Sequence, residues 1–133
     1  MSVRMLFVIA SVSAIATAAP AGEQQPRVTG FFSDLRSHPQ TGDLGGVEVF
    51  ISYATVNNGL ESRHYAYVQI AEGSPGEPQL VPVTVNGNKV SFSLSGKYAA
   101  ISPFSGAVLG DSLIGQFTNK WQLRLPRRSS YWQ

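Results

Sequence analysis

The segment Gln79-Leu80-Val81-Pro82-Val83-Thr84-Val85-Asn86-Gly87-Asn88-Lys89-Val90-Ser91-Phe92 decides the fold class. Its apolar residues recur at every second position, the period of a strand with one face buried, and Asn-Gly is a preferred two-residue hairpin turn. With Asn86-Gly87 as the turn, Val85 faces Asn88, Val83 faces Val90 and Val81 faces Phe92. Lys89, Ser91 and Ser93 then fall on the opposite side. Pro82 lies opposite Ser91 with no N–H to give, so the far side of this strand is expected to be an edge, a bulge or a seam. The preceding Gly73-Ser74-Pro75-Gly76-Glu77-Pro78 reads as a corner.

The same test works elsewhere along the chain. Around Gly110-Asp111, Leu109 faces Ser112, Val108 faces Leu113, Gly106 faces Gly115 and Phe104 faces Phe117. Two opposed glycines flanked by aromatic rings fit a tightly curved sheet in which rings cover bare backbone. A three-residue loop Thr118-Asn119-Lys120 pairs Phe117 with Trp121, Gly115 with Leu123 and Leu113 with Leu125. Around Asn58-Gly59, Val47 faces Ile70, Val49 faces Val68 and Ile51 faces Ala66, an aliphatic face. A one-residue slip would turn every side chain over, so this coherence argues for the register. Eight strands are read, at about 28–35, 46–55, 63–71, 79–85, 89–94, 99–108, 112–117 and 121–125, with no amphipathic helix between them. The expected fold is all-β: an antiparallel meander of about eight strands forming a small barrel or flattened sandwich, lipocalin-like in general shape.

The ends of the chain read differently. Arg4 and the amino terminus precede an apolar run, Met5 to Val12, and Ala16-Thr17-Ala18 then offers a small-x-small cleavage site, with Ala19-Pro20-Ala21 as a second. Residues 1–21 are therefore expected to be a signal peptide, cut after Ala18 or Ala21. The run is too short and too interrupted by Ser11, Ser13 and Thr17 for a spanning helix of about 20 apolar residues. Residues 22–27 read as a flexible leader, 28–126 as a single β domain and 127–133 as a basic and aromatic tail. Of the 133 residues none is cysteine, and no Asn-x-Ser/Thr acceptor occurs. This excludes a disulfide scaffold, a thiolate metal site and a cysteine nucleophile, and favours the periplasm or cell surface of a bacterium over a eukaryotic secretory route. Beyond Arg4, nine basic residues stand against eight acidic ones, too even a balance for nucleic acid. Short strands with polar outer faces also argue against an outer-membrane barrel, so no stable membrane insertion is expected once the signal is cut.

The second face of the hairpin around Asn58-Gly59 carries the candidate site. There Phe50 meets Tyr67, Ser52 meets Tyr65 and Glu48 meets Gln69. Flat aromatic surfaces with convergent polar groups hold amphipathic ligands, so Glu48, Phe50, Tyr65, Tyr67 and Gln69 are the expected ligand-binding residues. The alternative is that the chain covers this face itself, with Ser130-Tyr131-Trp132-Gln133 as a lid. Asp34, His38 and Asp43 form a second constellation, but their Pro-bearing loop is explained by turn chemistry, and no metal or cofactor is expected. His38 and His64 sit in no nucleophile arrangement, and no catalytic residue is assigned. Two function classes follow. The favoured one is a non-catalytic envelope protein that binds a small amphipathic ligand or a protein partner. The alternative is a small envelope hydrolase using a carboxylate pair drawn from Asp34, Asp43, Glu48, Glu72 and Asp111.

Thr41-Gly42-Asp43-Leu44, Val47 to Ile51, Tyr67 to Gly73, the hairpin from Phe104 to Phe117 and the ending Ser130-Tyr131-Trp132-Gln133 together resemble a group of small exported bacterial β-sheet proteins. The resemblance spans nearly all of the chain beyond the signal. It implies an envelope location and a β architecture, and it carries over no activity and no site residues.

Overall fold

The structure, a computed structural model, describes residues 27–133. The expected signal peptide and most of the leader lie outside the described residues. The rest folds into nine antiparallel strands: β1 Gly30–Ser33, β2 Arg36–Ser37, β3 Leu44–Val56, β4 Glu61–Gly73, β5 Gln79–Asn86, β6 Lys89–Phe92, β7 Phe104–Leu109, β8 Ser112–Gln116 and β9 Gln122–Pro126. They pair in the order β1-β3-β4-β5-β6-β7-β8-β9, with β2 continuing the β1 side of β3. The all-β meander read from the sequence is the observed fold. A bridge between Phe32 and Arg127 brings the two ends of the sheet together, nearly closing a barrel.

Three of the four predicted turns have the expected register. Val49 pairs with Val68, Gly106 with Gly115 and Leu113 with Leu125. At the fourth, the turn is Gly87-Asn88 rather than Asn86-Gly87, so Val85 rather than Val83 faces Val90. Gly87, at φ +62°, takes the first central position of the turn, which a type II′ hairpin reserves for glycine. Pro82 is thereby moved out of the hairpin. Its far side is not an edge: it pairs with Tyr65 of β4, and the seam falls instead on the β6 side, where pairing stops at Thr84. Two strand assignments are also corrected. The expected strand at 28–35 breaks at Asp34, whose carboxylate accepts the Val47 N–H at 2.7 Å in place of a ladder carbonyl. The start of the expected strand at 99–108 is a 3-10 helix, Gly96–Ile101, whose Tyr98 and Ile101 pack against the core.

The interior is filled by side chains from every long strand, led by Phe32, Ile51, Phe104, Leu113, Phe117 and Leu125. Phe104 stacks on Phe92 with centroids 4.9 Å apart and meets Phe117 edge-on at 5.4 Å. Its ring lies over the Gly106–Gly115 pair: a Cβ at Gly115 would meet Phe104 Cζ at 2.6 Å. Ring-covered glycines at a curved point are thus a feature of this sheet. Leu35, Leu44 and Ala71 form a small satellite core. The inward faces of the strands are occupied by these core side chains, which leaves their outer faces to meet other molecules.

Candidate functional site

Odd positions of β3 and even positions of β4 point inward, so Glu48, Phe50, Tyr65, Tyr67 and Gln69 share the outer face. The structure brings all five together there and adds two neighbours that sequence reasoning missed. Phe31 pairs with Phe50, Phe50 with Tyr67 and Tyr67 with Leu80, forming one row across β1, β3, β4 and β5. The Phe31 and Phe50 rings stack at 4.2 Å. Tyr67 is 37 % exposed and Leu80 73 % exposed. Beside this row, Ser52, Tyr65 and Pro82 form the next. The signal for Leu80 lay in the alternation of β5, where Val81 and Val83 turn inward and Leu80 and Pro82 outward.

The polar end of the face is covered by the tail. Glu48 is only 1 % exposed although it points away from the barrel interior. Its carboxylate accepts the Ser130 hydroxyl at 2.6 Å and the Tyr131 backbone N–H at 2.9 Å. The Trp132 indole N–H donates to Gln69 Oε1 at 2.8 Å, and Gln69 Nε2 donates to the Gly76 carbonyl at 2.9 Å. A carbonyl only accepts and an indole N–H only donates, which fixes the Gln69 amide in one orientation. Arg127 and Arg128 guide the tail onto this face. Arg127 donates to the Thr29 and Arg27 carbonyls and lies over the Phe32 ring at 4.5 Å, while Arg128 donates to the Leu35 carbonyl. The five predicted residues therefore divide: Glu48 and Gln69 hold the tail, while Phe50, Tyr65 and Tyr67 belong to the aromatic surface beside it.

A second feature is a surface cleft of about 570 Å³ whose lining includes Asp34, Arg36, His38, Asp43, Gly45 and Gly73. The loop is fastened by its own backbone, His38 N–H to the Asp43 carbonyl at 2.7 Å and Gly42 N–H to the His38 carbonyl at 2.8 Å. His38 Nδ1 accepts the Gln40 N–H at 3.3 Å, and Asp34 is committed to Val47. Among the described residues no group of three His, Asp or Glu side chains is placed to hold a metal ion.

Other carboxylates have partners suited to surface roles. Glu61 pairs with Arg63 at 2.7 Å and Glu72 with Lys97 at 2.6 Å, all well exposed. The hydrogen bond from Lys97 holds the Glu72 carboxyl below its ordinary value and raises Lys97 in return. Burial pushes the neighbouring Tyr98 phenol up. No protein-family model, no curated protein and no solved structure matches the chain.

Proposed function

We propose that this chain is a non-catalytic exported protein that docks a protein partner on the outer face of β3, β4 and β5, in the bacterial periplasm or at the cell surface. The supporting observation is the row Phe31, Phe50, Tyr67 and Leu80 on the outer side of the sheet, in which Tyr67 and Leu80 are exposed and Phe31 and Phe50 half-buried. Exposed contiguous apolar surface of this kind favours association with another macromolecule. Phe31, Phe50, Tyr67 and Leu80 line neither the cleft beside β2 nor that between β8 and β9, which favours a protein over a small amphipathic molecule on this row. Export is supported by the charged start, apolar run and small-x-small sites of residues 1–21, and a bacterial rather than eukaryotic setting by the absence of cysteine. Of the five carboxylates weighed for a hydrolase, Glu48 is engaged by the tail, Glu72 by Lys97 and Asp34 by the backbone, which leaves Asp43 and Asp111 for that reading.

Native mass spectrometry of the protein, purified gently from its own envelope fraction, tests this. The expected result is a second polypeptide mass on the wild type that is lost from Leu80→Asp. A bare mass for the wild type, or a bound small molecule that Leu80→Asp does not disturb, overturns protein docking on this face.

A further inference from the structure

The contacts between tail and barrel all run in one direction. The tail supplies donors (the Ser130 hydroxyl, the Tyr131 N–H and the Trp132 indole) and the barrel supplies acceptors, Glu48 and Gln69. Gln69 is held ready by the barrel itself, because its Nε2 is fixed on the Gly76 carbonyl whatever lies outside. Gly76 is fixed in turn: its N–H donates to the Ile70 carbonyl at 3.0 Å. Among the described residues the Glu48 carboxylate takes its hydrogen bonds from the tail alone, so emptying the seat exposes to water a carboxylate that a second donor-bearing segment can satisfy in the same way.

The tail that fills this seat is lightly held beyond Arg128. Trp132 is 54 % exposed, Tyr131 is 37 % exposed, and Ser129 between the anchor and the seat is exposed. Segments with few buried apolar contacts open locally without unfolding the domain. The seat is also continuous with the aromatic row, since Gln69 and Tyr67 are outward neighbours on β4, as are Glu48 and Phe50 on β3.

We propose that Glu48 and Gln69 form a peptide-recognition seat, and that residues Ser130–Trp132 are its exchangeable resident. The occupant in trans is an extended segment of a partner protein in which a serine or threonine is followed, two residues on, by a tryptophan. The hydroxyl and the next backbone N–H satisfy Glu48, and the indole satisfies Gln69. This specifies the partner's chemistry and rests on the docking face proposed above. While the tail is seated its effective concentration is in the millimolar range, so it acts as a built-in competitor.

The probe is a fluorescent peptide with the sequence Ser-Ser-Tyr-Trp-Gln, and the protein is the full chain. Wild type is expected to bind it at least tenfold more weakly than Ser130→Ala/Trp132→Ala, whose own tail has lost two of its three donors. Adding Glu48→Gln to that variant is expected to abolish the gain, with an unchanged amide spectrum of the barrel showing that the fold persists. In the wild type, the Tyr131 amide and Trp132 indole protons should exchange with water at least a hundredfold faster than the Val49 amide. Exchange of these protons only at the rate of the core, or no binding by the weakened-tail variant, overturns the proposal. Failure of the peptide test while Leu80→Asp still releases a partner would remove the seat and leave the docking face standing.

Discussion

Ser130 and Glu48, 82 residues apart in sequence, meet through a 2.6 Å hydrogen bond that fixes the end of the chain to the outside of β3. A carboxylate placed on an outer face is normally solvated. Here it is buried by the residues that satisfy it, so the tail both creates and resolves the burial of Glu48. Hydrogen bonds to charged acceptors contribute about 1.5–3 kcal/mol in such settings. Ser130→Ala is therefore expected to lower the unfolding free energy by about 1.5 kcal/mol in urea titration. A double-mutant cycle with Glu48→Gln should show most of that loss as coupling, and additive effects would mean that the two residues act separately.

The Gly106–Gly115 pair leads to a second expectation. A Cβ at Gly115 would meet the Ser105 carbonyl oxygen at 2.4 Å and Gly106 Cα at 2.5 Å, both backbone atoms that cannot turn aside. Overpacking of a tight site costs about 1–3 kcal/mol. Gly115→Ala should fall in or above that range. Gly45→Ala is the control: nothing lies within 4 Å of its Cβ, and its φ is not positive. Calorimetric melting of the two variants is expected to show a drop of several degrees for the first and little change for the second.

Arg127 closes the sheet. Its guanidinium spans the Thr29 and Arg27 carbonyls and covers the Phe32 ring, at the bridge where the chain's first and last strands meet. Lysine keeps the charge but has no planar fork, so it cannot serve two carbonyls and a ring at once. Arg127→Lys is expected to be destabilised, by less than Arg127→Ala. Both should speed amide exchange at Phe32 and Arg128 while leaving β7 and β8 protected. Uniform loss of protection would show that the seam opens only with the whole barrel.

How far the sequence could be read followed from what pins a strand. Around Gly110-Asp111 and Asn58-Gly59, a short turn and matched faces fix the register, and the structure agrees. At Asn86-Gly87-Asn88 the pattern Val81, Val83, Val85 against Val90 and Phe92 survives a slip of two residues. Hydrophobicity therefore could not choose, and the φ of Gly87 did. Tyr98 and Ile101 look like strand residues by composition, yet three residues apart they suit one face of a 3-10 turn. The candidate site was legible only within the β3–β4 hairpin. Phe31 and Leu80 join its row through pairings set by longer connections, which no two-residue turn announces.

The pair Glu72 and Lys97 gives a pH-dependent expectation. Glu72 sits near the end of β4 and Lys97 in the 3-10 helix, so their 2.6 Å contact ties that helix to the barrel wall. The hydrogen bond from Lys97 lowers the folded-state pKa of Glu72 below its ordinary value of 4.5. A carboxyl whose pKa is depressed on folding contributes stability that is present above its unfolded value and lost as pH falls through its folded value. The contact should thus be intact at neutral pH and weaken only below the range in which free glutamates titrate. Both side chains are largely exposed, so salt should screen the effect. Carbon-detected titration of the Glu72 carboxyl is expected to give a midpoint below the ordinary glutamate value of 4.5. Lys97→Ala should move it upward, and raising the ionic strength should move it part of the way. A Glu72 midpoint at the ordinary value of 4.5, and indifferent to Lys97→Ala, would show that the pair does not hold the helix in solution.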